Sequence, residues 1–153
     1  MKLEVEIQYA TECTDLPSEA DFNTWVRAAL LPQTAQREVV IRLVDAPESR
    51  RLNLAYRAKD SPTNVLSFPF EAPPGVPSGL LGDLVVCAPV VAQEARIQGK
   101  SGLAHWAHMV VHGMLHLQGY DHQNEAQAEQ MEGLERSILQ RLNFPDPYHE
   151  EES

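Results

Sequence analysis

Cysteine is scarce in this chain: Cys13 and Cys87 are the only two in 153 residues, and neither belongs to a CxxC pair. At this size no disulfide is needed for stability, and two isolated thiols suit a reducing compartment. No apolar run reaches 18 residues, which excludes a membrane-spanning helix. The opening stretch MKLEVEIQYA alternates apolar and polar side chains and lacks the continuous apolar core of a signal peptide, so a cytoplasmic location is expected. Positive charge is also in short supply. Twelve basic residues face 22 acidic ones, for a net charge of −10, which argues against broad nonspecific affinity for nucleic acid. The imbalance is uneven, however. Residues 121–153 carry nine acidic and two basic side chains, whereas Arg50, Arg51, Arg57 and Lys59 lie close together upstream. A local basic patch can hold phosphate on an acidic protein.

What the chain does contain is ordinary globular material, with 43% hydrophobic and 22% charged residues, enough for one domain over residues 1–153. LEVEIQYA reads as a strand with Leu3, Val5 and Ile7 on one face. LPSEADFNTWVRAALL reads as a helix capped by Ser18, with Asp21 completing a capping box and Phe22, Trp25, Val26, Ala29 and Leu30 forming its apolar stripe. EVVIRLV, Glu38–Val44, is a second strand, and a short helix from Pro47 through Leu54 is expected after it. NVLSFPF, from Asn64 to Phe70, is a third strand that must end, or lie at an edge, at Pro69, which has no N–H to give a ladder. EAPPGVPSG is a loop. LLGDLVVCA is a fourth strand, with Asp83 a candidate buried hydrogen-bond acceptor. APVVAQEARIQG is a helix ending near Gly99, and GLAHWAHMVVHGMLHLQG a longer, buried one. The final helix, Glu125 to Leu142, directs Ala126, Met131, Leu134, Ile138, Leu139 and Leu142 inward. The acidic tail, residues 145–153, has little to bury and is expected to fray. The whole is one α/β unit.

The chemistry concentrates in HGMLHLQGYDH, residues 112–122. Residues four apart in a helix lie about 40° out of line on one face, so His112 and His116 aim at a common point. Gly119 ends the helix and lets the chain turn, because glycine takes the left-handed conformation at little cost, and His122 then returns beneath the same point. A single helical histidine is ordinarily a paired, neutral core residue; of the other two on this helix, His105 is expected at the surface and His108 hydrogen-bonding behind a ligand. The set H-x-x-x-H-x-x-G-x-x-H is different. Three imidazoles around an open fourth position are the usual protein contribution to a catalytic zinc site, and Zn2+ is the expected cofactor. Zinc lowers the pKa of bound water and polarises a phosphoryl or carbonyl oxygen.

Hydrolysis follows from that chemistry, but the bond does not. The spacing is that of HExxHxxGxxH zinc proteases, whose glutamate after the first histidine is the general base. Here that position is Gly113, which cannot accept a proton, and neither Glu94 nor Asp121 has sequence support as a replacement. Asp121 also admits a quieter role, bracing the turn or an imidazole.

HGMLHLQGYDH together with LNLAYRAKDSPTNVLSFPF and LGDLVVC resembles the bacterial YbeY family of metal-dependent endoribonucleases, also called rRNA maturation factors. The resemblance covers most of the chain. It implies a small mixed sheet of about four strands packed with helices, and a zincin-like metal site at the end of a central helix. His112, His116 and His122 match the zinc ligands, and Arg57 in YRAKD matches the functional arginine. A guanidinium there can clamp the scissile phosphate and offset its developing charge. Where the family often has aspartate in PTDV, this chain has Asn64. The resemblance further implies single-strand-directed cleavage in maturation of the 16S rRNA 3′ end and in ribosome quality control. Its expected partners are precursor RNA, ribosomal particles and proteins, an assembly GTPase and another ribonuclease. The competing functions are a zinc metalloprotease, favoured by the spacing and opposed by Gly113, and a noncatalytic ribosome-binding factor.

Overall fold

The computed structural model describes residues 2–148, in the order β1 (Glu4–Ala10), α1 (Glu19–Ala29), β2 (Glu38–Val44), α2 (Ala46–Arg57), β3 (Val65–Pro69), β4 (Leu80–Cys87), α3 (Ala88–Gln98), α4 (Gly102–Leu117) and α5 (Glu125–Arg141). The strands form one sheet in the order β1-β2-β4-β3. β1, β2 and β4 run parallel, while β3 is antiparallel to β4 and takes the edge that its terminal proline requires. This is the mixed, four-stranded α/β arrangement that the sequence led us to expect.

Each strand divides its side chains between two layers. Val39, Ile41 and Leu43 of β2 and Leu84 and Val86 of β4 enter the main core, which is completed by α1, α4 and α5. Val85 and Cys87 of β4, with Val44 and Leu66, form a smaller cluster on the opposite face, where Leu52 of α2 packs. β4 is therefore apolar on both faces, as an interior strand covered on two sides must be. α1 begins as expected: Ser18 Oγ accepts from the Asp21 N–H at 3.1 Å, and the Asp21 carboxylate accepts from the Ser18 N–H at 3.0 Å.

Four local expectations are corrected. α2 runs one turn past Leu54 to Arg57, because two buried polar residues on it anchor the chain that follows. Ser49 Oγ donates to Thr63 O at 3.0 Å, and Asn53 Nδ2 donates to Ser61 O at 2.8 Å. Asp83 is exposed instead of buried, its side chain falling on the opposite side of β4 from Leu84's core face. Ala126 is also exposed, and α5 buries Glu135 in the stripe between Met131 and Ile138. Nor is the start of the tail loose: Tyr148 reaches Glu135, and Lys100 Nζ donates to Pro147 O at 3.3 Å. Residues 149–153, which hold the rest of that tail and His149, lie outside the described residues.

α4 is the central helix, with eleven of its sixteen residues buried, so it cannot have a solvent face of ordinary width. It approaches the sheet closely at Gly113. A Cβ there would lie 2.7 Å from Leu84 Cδ2 and 3.3 Å from Ser67 Oγ. Leu84, fully buried on β4, is the other half of that contact. Leu84→Ala should cost about 2–5 kcal/mol of unfolding free energy, measured by urea denaturation; a loss below about 1 kcal/mol would mean the helix seat collapses to fill the gap.

Candidate metal centre

His112 and His116 occupy consecutive turns of α4, with ring centroids 4.8 Å apart. The helix then ends in a Schellman closure. The Tyr120 N–H donates to Leu115 O and the Gly119 N–H to His116 O, both at 3.0 Å, with Gly119 at φ +100°. No neighbour lies within 4 Å of a Cβ built at Gly119, so backbone conformation, not space, selects glycine there. Gln118 staples this end of the helix to the chain after α1. Its Oε1 accepts from Leu31 N–H and Thr34 Oγ1, while its Nε2 donates to Ala29 O and Met114 O. The turn carries His122 back to the helix, 5.5 Å from the His112 ring and 5.1 Å from the His116 ring by centroid. One ligating nitrogen from each of the three histidines lies within 4.8 Å of the others.

The protonation pattern fits a metal ligand set. His112 Nδ1 is 2.9 Å from Glu135 Oε1, and since a carboxylate can only accept, that nitrogen carries a proton and Nε2 is the nitrogen left to face an ion. Burial and then the neighbouring His112 and His122 lower the pKa of His116, which favours the neutral ring that binds metal. Asp121 braces the turn. Its Oδ1 accepts from the His122 backbone N–H at 2.7 Å, whereas the His122 ring nitrogen lies 4.0 Å away, too far for a hydrogen bond.

Behind the triad lies a layer of buried polar groups. Glu135 is completely buried, and its Oε1 also accepts from His108 Nε2 at 3.0 Å. Tyr148 donates to Glu135 Oε2 at 2.7 Å. Burial alone would raise the Glu135 pKa, but the hydrogen bonds from His108 and His112 outweigh it and lower the value to about 2. His108 thus stands behind the triad, on the carboxylate oxygen that also holds His112. His105, expected at the surface, is instead 2% exposed and faces Glu94 at 2.9 Å. That pairing, with Asn64 Nδ2 donating to the same carboxylate at 3.2 Å, commits Glu94 away from the triad. It also accounts for Asn64: an aspartate in its place would set two carboxylates against each other. Glu135 was legible only as an acid in the apolar stripe of α5, a pattern that calls for a buried partner.

The triad opens on a cleft of about 940 Å³ whose walls include β3, Tyr56, Arg57 and Tyr120. Of the four clustered cations, only Arg57 lines it. Arg50 is bound bidentately by Asp60, at 2.6 and 3.0 Å. Arg57 is exposed, and among the described residues no carboxylate pairs with it.

A three-imidazole cluster at the end of a buried helix, seated on a mixed sheet and open to a cleft, defines a metal-dependent hydrolase of zincin-like arrangement. Residues 6–143 match the family described as Endoribonuclease YbeY, and the chain belongs to that family. The family and the triad together make it a metal-dependent endoribonuclease of ribosomal RNA processing. The fold is similar to the solution structure of a Thermotoga maritima protein, with a TM-score of 0.52 at 22% identity over 95% of this chain and 99% of that one.

The packing around Gly113 also bears on the protease alternative, because a glutamate there would have to displace Leu84 and enter the helix–sheet contact. Gly113→Glu should therefore lose about 3 kcal/mol or more of stability and gain no peptidase activity. Wild-type unfolding by urea together with new peptide cleavage would contradict this packing account.

Proposed function

We propose that this protein is a zinc-dependent, single-strand-directed endoribonuclease acting in maturation of the 16S rRNA 3′ end and in ribosome quality control, with His112, His116 and His122 as metal ligands and Arg57 as the phosphate-binding catalytic residue. The observation that carries the reading is the sharing of one cleft by the metal-capable triad and an arginine with no carboxylate partner among the described residues. An all-nitrogen, three-histidine set favours zinc.

When bound, the ion supplies Lewis acidity toward a phosphate oxygen and a lowered pKa for water. The remaining work falls to side chains of the cleft. Arg57 offers a planar fork of N–H donors to two phosphate oxygens and balances charge that grows as the phosphodiester is attacked. Asp121 is the only carboxylate among the described lining residues, which makes it the side chain best placed to take up a proton, with one of its oxygens already held by the turn. Tyr56, 68% exposed, meets Phe68 edge-to-face at 4.7 Å on the cleft wall. Aromatic faces so placed accept unpaired bases by stacking, consistent with a single-stranded substrate. No helix among the described residues is long and apolar enough to cross a membrane, in keeping with the proposed cytoplasmic setting among ribosomal particles and their assembly GTPase and ribonuclease partners.

The test is cleavage of a defined single-stranded RNA by wild type, His116→Ala and Arg57→Ala prepared in parallel. His116→Ala should abolish cleavage, and Arg57→Ala should lower kcat by about 10²–10³-fold with metal content unchanged. Equal cleavage by all three would assign the activity to a contaminant. If the 2′-hydroxyl is the nucleophile, products end in 2′,3′-cyclic phosphate and the matching DNA stays intact; cleaved DNA would exclude that route.

A further inference from the structure

The three donors on Glu135 come from two parts of the chain. Two are histidines of α4, and the third, Tyr148, lies beyond the end of α5 in a segment that makes its own attachments. Arg136 holds that segment twice, through Asp146 Oδ1 at 3.2 Å and by stacking its guanidinium 5.3 Å from the Tyr148 ring centre. Lys100 holds it again through Pro147 O, and Tyr148 N–H is tied to Asp146 Oδ1 at 2.8 Å. Four residues, Lys100, Arg136, Asp146 and Pro147, thus place one phenol against one buried carboxylate oxygen. The other oxygen of that carboxylate accepts from His108 and His112.

We propose that Glu135 and Tyr148 are positioning residues for the metal centre: Glu135 holds His112 with Nε2 free for the ion, and Tyr148, on the C-terminal segment, holds the Glu135 carboxylate in that orientation. This rests on the reading of the triad as a metal site. A carboxylate has two acceptor oxygens, and each has a fixed assignment here. Without the Tyr148 hydroxyl, Oε2 is left buried with no donor, and the carboxylate can rotate toward solvent or toward a different share of the two imidazoles. Without the carboxylate, the proton on His112 is free to move to Nε2, the nitrogen that the ion requires. Metal affinity is therefore expected to depend on residues well outside the histidine motif, as outer partners of metal-bound histidines commonly require.

The experiment is competition for Co2+ between a chromophoric chelator and the full-length protein, alongside urea unfolding of each metal-free variant. Wild type should bind one Co2+ and His112→Ala should not. Glu135→Gln preserves shape but has a single acceptor oxygen, and it should weaken Co2+ binding by about 10–100-fold. Tyr148→Phe should weaken it in the same direction by less. Ile138→Val, a truncation on the same buried face of α5, should lower stability yet leave Co2+ affinity unchanged, separating positioning from structural support. Wild-type affinity in Glu135→Gln overturns the inference while the metal site stands; so does wild-type affinity in Tyr148→Phe for the part assigned to the C-terminal segment, which also decides the matter if Glu135→Gln fails to fold. A loss in Ile138→Val as large as in Glu135→Gln likewise overturns it. Failure of wild type to bind Co2+ in a His112-dependent way removes the metal reading itself.

Discussion

A carboxylate without access to water has to be satisfied by its neighbours, and in this molecule that constraint falls on Glu135. Leaving a buried charge unpaired costs roughly 3–5 kcal/mol, a large share of the stability of a small protein. Glu135 therefore dictates where His108, His112 and Tyr148 stand. The positions of α4, α5 and the chain after α5 are mutually determined through this one group. The apolar stripes on the same helices supply the bulk of the burial, but apolar packing does not by itself orient an imidazole. The hydrogen bonds do.

The sheet sets the other limit on the site. β4 is covered on both faces, and α4 comes down on it at Gly113 with no room for a side chain. That contact fixes the height of α4 above the sheet and the depth at which its histidines meet the cleft. It also removes the position from which a zinc protease of the same histidine spacing draws its base. One glycine thus serves packing and divides two chemistries. The antiparallel edge strand β3 and the end of α2 supply the opposite wall, bringing Arg57 to a cleft that its sequence neighbours Arg50, Arg51 and Lys59 do not line.

Much of this was legible in the chain. The period of two in LEVEIQYA, the Ser18–Asp21 capping box, the proline that ends β3 and the histidine spacing each reflect a local rule, and local rules survive folding. What was hidden depended on long-range pairing. Nothing near His105 announces that Glu94, itself held by Asn64, will meet it, so a histidine expected at the surface lies in the interior. The extension of α2 to Arg57 depends on side-chain bonds to residues 61 and 63, which modest helix propensity does not foretell. Glu135 was visible only as an exception in an apolar stripe. The basic cluster misled in the opposite sense, because Asp60 takes Arg50 and leaves a narrower positive feature than the sequence suggests.

The central claim is that His112, His116 and His122 together hold one catalytic metal ion. Anomalous diffraction from crystals of the purified protein, collected at the zinc edge, tests it most directly. The account predicts one peak, about 2.0–2.1 Å from one nitrogen of each histidine, with the fourth position open to the cleft. A fully metal-loaded protein with its peak elsewhere, or with all four positions filled by protein side chains, would contradict it.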